Sequence, residues 1–223
     1  MACRAGKQTI MYIAIAGNIG SGKTTLTTML ARHYGWKAYF EKVATNPYMA
    51  DYYKDIRRWS FPMEIFFLKE RFRDLLAINH SAEPIIQDRS IFEGVYVFTA
   101  TNYAMGNLSD RDFNTYMGLF ESMMMVAREP ELIVYLRASV PRLVAHIHER
   151  GRDYEQNISI EYLRQLNQRY DDFLFRQYRG RVLTIEVDDL DFRDSRDDFA
   201  SIVARIDKEL AQIEGAPTLF SGQ

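Results

Sequence analysis

One stretch constrains this chain more than any other: Gly17-Asn18-Ile19-Gly20-Ser21-Gly22-Lys23-Thr24, which follows an apolar run at residues 10–16. It fits G-x-x-x-x-G-K-[ST], the phosphate-binding loop pattern. A phosphate chain needs many hydrogen-bond donors in little space. Glycines let the backbone curl so that successive N–H groups point inward, and the helix that follows offers its positive end to the anion. Lys23 can reach the terminal phosphates, and the Thr24 hydroxyl suits Mg²⁺. Gly17, Asn18, Gly20, Ser21, Gly22, Lys23, Thr24 and Thr25 are therefore expected to hold ATP. Such a loop works only between a buried strand and a helix, which commits the chain to an α/β fold.

The rest of the pattern agrees. Short apolar runs at residues 37–40, 84–87, 131–136 and 181–187 alternate with helical periods. Helices are expected at 22–34, with Leu26, Met29, Leu30 and His33 on one face, and at 61–79, with Pro62 in the first turn, where a missing N–H does no harm. Ser109 can cap the next, whose apolar positions Phe113, Tyr116, Met117, Phe120, Met124 and Ala127 share a face. Further helices are expected after Pro141, at 159–178 and at 195–213. Strands joined by helices predict a five-stranded parallel sheet covered on both faces. Ligands on such sheets bind beyond the carboxyl ends of the strands, and Gly17, Glu41, Asp88 and Asp188 all stand at or just past a strand end.

The chain has 223 residues, enough for one domain with a substantial core. No linker divides it, and residues 1–8 and 214–223 are expected to be flexible ends. A net charge of −2 gives no general attraction to nucleic acid or anionic membrane. No apolar run reaches the ~18 residues of a membrane span. The one cysteine, Cys3, rules out an internal disulfide and points to a reducing, cytoplasmic setting.

Three further groups carry chemistry. A hydroxyl attacking phosphorus must lose its proton, and Glu41 can take it. Asp88, in Asp88-Arg89-Ser90, can hold Mg²⁺ through water, while Arg89 clamps a phosphoryl oxygen; Asp88 or Ser90 can equally cap the helix that follows. Arg150 and Arg152 can neutralise charge on a moving phosphoryl group, with Gly151 as a hinge. Arginines paired with Glu149, Asp153 and Glu155 in a solvated loop would read the same.

Taken together, Gly17–Thr25, Glu41, Asn46-Pro47-Tyr48, Arg58-Trp59-Ser60-Phe61, Asp88-Arg89-Ser90 and Arg150-Gly151-Arg152-Asp153-Tyr154-Glu155 resemble the deoxyribonucleoside kinases, nearest their bacterial deoxyadenosine/deoxyguanosine branch. The resemblance spans roughly residues 10–192. It implies a P-loop kinase fold with an arginine-rich lid and transfer of the ATP γ-phosphate, with Mg²⁺, to a deoxynucleoside 5′-hydroxyl. It implies Glu41 as the base, Arg89 and Lys23 with the lid's Arg150 and Arg152 at the phosphates, and Thr24 and Asp88 at the metal. Tyr53 and Glu155 would hold the sugar, and Asp189 to Phe192 the adenine of ATP. It also implies a homodimer through residues 91–103 and 110–127, with Met117 and Met123 to Met125 as contact or as core filling. Glu64 stands where the family usually has a Gln that reads the base, and Gly94 where many members have an Asp, while Arg71 is kept. An ionised Glu only accepts hydrogen bonds, so guanine, with adjacent N–H donors, is favoured weakly, and Gly94 is expected to leave room for the base. A nucleoside-monophosphate kinase and a non-catalytic relative of the fold are the alternative readings.

Overall fold

A computed structural model describes residues 10–43, 45–152, 155 and 158–215. The ends beyond them, Cys3 included, lie outside the described residues, as do Asp153 and Tyr154. Five strands, β1 (Tyr12–Gly17), β2 (Lys37–Tyr39), β3 (Ile85–Asp88), β4 (Leu132–Arg137) and β5 (Val182–Glu186), form one sheet in the order β2-β3-β1-β4-β5. Every pairing is parallel. Both faces are covered, which is why β1 and the body of β4 read as near-continuous apolar runs rather than alternations.

Side chains still alternate across the sheet. Ile13 and Ile15 of β1 and Val134 of β4 face a core built with α1 (Lys23–Tyr34), α7 (Val140–Arg150) and α9 (Arg196–Glu214). Ala14, Ala16 and Tyr135 face the other, where α3 (Ile56–Asn79), α6 (Asp110–Met124) and α8 (Ile160–Asp172) bring Leu68, Leu75, Phe120 and Tyr170. Small alanines on that face make room for large rings. Met117, Met123 and Met124 pack there as core filling, whereas Met125 is 86% exposed. His33 points away from the core and meets Tyr34 and Phe199 edge-on.

Serine side chains accept from the backbone N–H three residues on at the starts of α6, α7, α8 and α9, through Ser109, Ser139, Ser159 and Ser195. The helix expected at 61–79 begins earlier. Asp55 accepts from Arg58 N–H at 3.1 Å and starts α3 at Ile56, so Pro62 lies inside it rather than in its first turn. A proline there removes the hydrogen bond to the Arg58 carbonyl. The short α2 (Met49–Tyr52) precedes α3. After β3, α4 (Ile91–Glu93) and α5 (Ala100–Ala104) are joined by a π-helical turn, Gly94–Thr99. The helix expected at 159–178 likewise ends in a π-helical turn, Phe173–Gln177. No helix among the described residues is long and apolar enough to cross a membrane.

Candidate active site

β1 lies between β3 and β4, so successive connections leave it in opposite directions and open a crevice at its carboxyl end. The phosphate loop fills that crevice. Gly20 and Gly22 hold φ of +86° and +93°, which only glycine adopts without strain. A Cβ on Gly20 would stand 2.8 Å from the Leu143 carbonyl of α7, and one on Gly22 would stand 2.7 Å from the Phe192 ring. Asn18 ties the loop to α8: its amide donates to the Leu163 carbonyl at 2.9 Å and to Asn167 at 2.8 Å. Lys23 is buried, its ammonium donating to the Asn18 carbonyl at 2.8 Å. Burial, with Arg89 adding repulsion, pushes the Lys23 ammonium down to about 8.

Glu41, two residues past β2, lies between two guanidiniums. Arg71 Nη2 donates to one carboxyl oxygen, and Arg89 Nε stands 3.3 Å from the other. Burial alone would raise this carboxyl; Arg89 and Arg71 outweigh it and hold it below the usual carboxylate range. Asp88 ends β3 and accepts from the Thr24 hydroxyl at 2.5 Å, while burial pushes its carboxyl up. Hydroxyl and carboxylate oxygens are the hard donors that Mg²⁺ takes. No group of three or more His, Cys, Asp or Glu able to hold a metal exists among the described residues.

Arg89 is the one non-glycine among the described residues with a left-handed φ, +68°. Such a conformation costs about 1–3 kcal/mol and gathers at functional sites. Its N–H donates to the Ile15 carbonyl at 3.1 Å, and its guanidinium lies 4.1 Å over the Phe98 ring. Ser90 caps α4 in a reciprocal box with Glu93, so the capping expected of Ser90 coexists with the site.

A cavity of about 220 Å³ joins these parts. Gly20, Lys23, Thr24, Glu41, Asp88 and Arg89 line one end. Tyr52, Tyr53, Met63, Phe67, Phe98 and Tyr162 make its apolar walls, and Glu64 and Arg71 also reach it. Glu64 is 1% exposed; its carboxyl accepts from Thr99 at 2.9 Å and Asn102 at 2.8 Å, and burial pushes it up. Arg150, Arg152 and Glu155 line the cavity as well, with Glu155 accepting from Arg150 and, at 3.1 Å, from Arg152.

Two expected residues, Gly94 and Gly151, are placed otherwise. Gly94 does not open the pocket: a Cβ there would overlap Arg71 Nη1, so its missing side chain makes room for Arg71. Gly151 has φ +66° and closes α7, its N–H bonded to the Ile147 carbonyl at 3.2 Å, so it serves as a left-handed helix cap. Phe192 is buried in the core against Gly22, while Asp189 is exposed. Sequence reasoning missed Glu93 and Tyr170, buried beneath the loop; S-x-x-E at Ser90–Glu93 was the available signal for the first.

The model of the deoxynucleoside kinase family matches residues 13–212. The chain belongs to that family. It is 34% identical to the deoxyadenosine/deoxycytidine kinase of Bacillus subtilis over 87% of this chain and 90% of that protein. It is also 34% identical to that organism's deoxyguanosine kinase, over 91% of this chain and 98% of the relative. A deoxyadenosine kinase from M. mycoides, solved with dCMP and dCDP, superposes with a TM-score of 0.79 at 30% identity, covering 89% of this chain and all of that one. The protein is thus a deoxynucleoside kinase built on the P-loop kinase fold.

Proposed function

We propose that this kinase transfers the γ-phosphoryl group of ATP to the 5′-hydroxyl of a purine deoxynucleoside, with deoxyguanosine favoured, in cytoplasmic nucleotide salvage. The observation that carries the proposal is the single cavity reaching from Lys23 and Thr24, past Glu41 and Arg89, to Glu64. Gly17 to Thr25 hold the donor phosphates, and the loop of Asp189 anchored by Phe192 faces the adenine. Glu41 accepts the 5′-hydroxyl proton as that oxygen bonds to the γ-phosphorus and ADP departs. Arg89, Arg150 and Arg152 neutralise charge on the transferring group. Tyr53 and Glu155 hold the sugar. Glu64, with Arg71 beside it, meets the base. Thr24 and Asp88 would hold Mg²⁺, which supplies charge neutralisation at the phosphates. The relatives named for deoxyadenosine and deoxyguanosine support a purine acceptor.

The test is a screen with ATP and Mg²⁺ across the four deoxynucleosides, their ribose forms and their monophosphates. Deoxynucleoside 5′-monophosphates are the expected products. Glu41→Gln should lower kcat by about 10²-fold or more, the range of a lost general base, while calorimetry still registers ATP binding. Turnover of monophosphates alone, or an unchanged kcat in Glu41→Gln, overturns the proposal.

A further inference from the structure

Glu93 does not line the cavity, yet it joins the two halves of the site. It is fully buried. Oε1 accepts from Ser90 N–H at 2.9 Å, and Oε2 lies 3.3 Å from Gly17 N–H and 2.8 Å from the Tyr170 hydroxyl. That hydroxyl also lies 2.6 Å from the Gly17 carbonyl oxygen. Two short oxygen–oxygen contacts therefore flank one phenol, which has one proton to give. A carbonyl cannot donate. If the phenol donates to Gly17, the contact with Glu93 needs a proton on the carboxyl. If it donates to Glu93, lone pairs of the phenol and the Gly17 carbonyl oppose each other at 2.6 Å in a fully buried site. Both contacts are attractive only when Glu93 is neutral.

We propose that Glu93 is a positioning residue that keeps its proton in the folded enzyme and, through Tyr170, sets the first glycine of the phosphate loop in register with the Asp88-Arg89-Ser90 turn. The same carboxyl receives the Ser90 N–H directly after Arg89, whose left-handed backbone needs a fixed neighbour. Donor loop and acceptor-side arginine thus share one proton-bearing anchor. The groups facing Glu93 are Arg89 from the turn after β3, Lys23 from α1, Tyr170 from α8 and Tyr12 from β1. Arg89 and Lys23 favour the ionised form, but burial outweighs them and pushes the carboxyl above its usual range. Because the folded value is the raised one, the stability this proton contributes is full below the unfolded carboxyl range. It is lost as pH rises through the folded value.

This inference rests on the kinase function of the site, and its test separates the two. Glu93→Gln keeps an acceptor toward Ser90 N–H and gives Tyr170 a permanent N–H donor, giving up only the 3.3 Å contact with Gly17 N–H; Glu93→Ala gives none of these. Alanine should lower kcat/KM for ATP and for the deoxynucleoside together, by about 10-fold or more, as for a lost buried partner. Glutamine should restore most of that loss and remove the part of the wild type's decline with rising pH that follows the loss of the Glu93 proton. Independently of activity, the infrared difference spectrum of wild type minus Glu93→Gln should contain a protonated-carboxyl stretching band at neutral pH. A missing band, or a glutamine variant as impaired as the alanine one, overturns the inference. The band decides the matter even where Glu93→Ala does not fold, and an enzyme inactive on every deoxynucleoside would overturn the function while leaving the band to be read.

Discussion

At the scale of single residues, the proposed function rests the choice of base on Glu64. Its two oxygens are already held from behind by Thr99 and Asn102, leaving the remaining lone pairs for the cavity. Ionised, the carboxyl only accepts, which matches the adjacent N–H donors of guanine. Protonated, it presents a donor beside an acceptor, which matches adenine and cytosine. Burial raises this carboxyl, against the pull of Arg71 and its two donors, so the neutral form persists to higher pH than in solution. As pH rises the proton leaves, and kcat/KM for deoxyguanosine relative to deoxyadenosine should rise with it. Glu64→Gln should flatten that pH dependence and shift preference to deoxyadenosine and deoxycytidine. The shift should be about 5- to 150-fold, from ~1–3 kcal/mol for mispaired buried groups. Steady-state kinetics from mildly acidic to mildly alkaline pH measure both; a ratio independent of pH in the wild type removes Glu64 from base selection.

At the scale of elements, the phosphate loop and α7 depend on each other. Gly20 approaches Leu143 so closely that no side chain fits, and His146 Nδ1 lies 2.8 Å from the Gly20 carbonyl. Gly20→Ala combines a left-handed φ with a Cβ 2.8 Å from backbone oxygen, so loop or helix must move. Overpacking of this kind costs about 1–3 kcal/mol. Since α7 ends at Arg150, the substitution should weaken ATP binding and lower kcat, whereas a calorimetric titration with ATP matching the wild type would show that the contact is not needed. The loop itself was legible in the sequence because its glycines are local requirements. So were the five strands, most plainly the central β1 and β4, whose apolar runs follow from burial on both faces. The start of α3 was not, because Asp55 outcompetes the signal that Pro62 offers a helix start. Nor was the role of Gly94, which depends on an arginine 23 positions earlier that only the packed structure brings beside it. Glu93 and Tyr170 escaped for the same reason, being 77 residues apart.

At the scale of the whole molecule, what is unburied decides what the chain can assemble with. Leu76 on α3, Leu119 on α6, and Met125 and Val126 just beyond α6 are all exposed, by 37%, 43%, 86% and 56%. The ends of the two helices are held side by side by the Asn79 amide, which donates to the Val126 carbonyl at 2.6 Å. The four side chains therefore belong to one helix pair rather than to scattered loops. Residues 91–103, by contrast, are mostly in the core, so that half of the expected dimer contact is occupied within the chain. The homodimer we propose seats a second copy on α3 and α6, which would remove apolar surface from water at about 25 cal/mol per Å². The sedimenting mass should then be twice the chain's 26.1 kDa and fall toward one chain on dilution. Met125→Lys and Val126→Glu together place charge in the contact without touching the cavity, so the double variant should sediment as a monomer at concentrations where the wild type is dimeric. A wild type monomeric at every concentration, or a double variant still dimeric, would remove this face from the assembly.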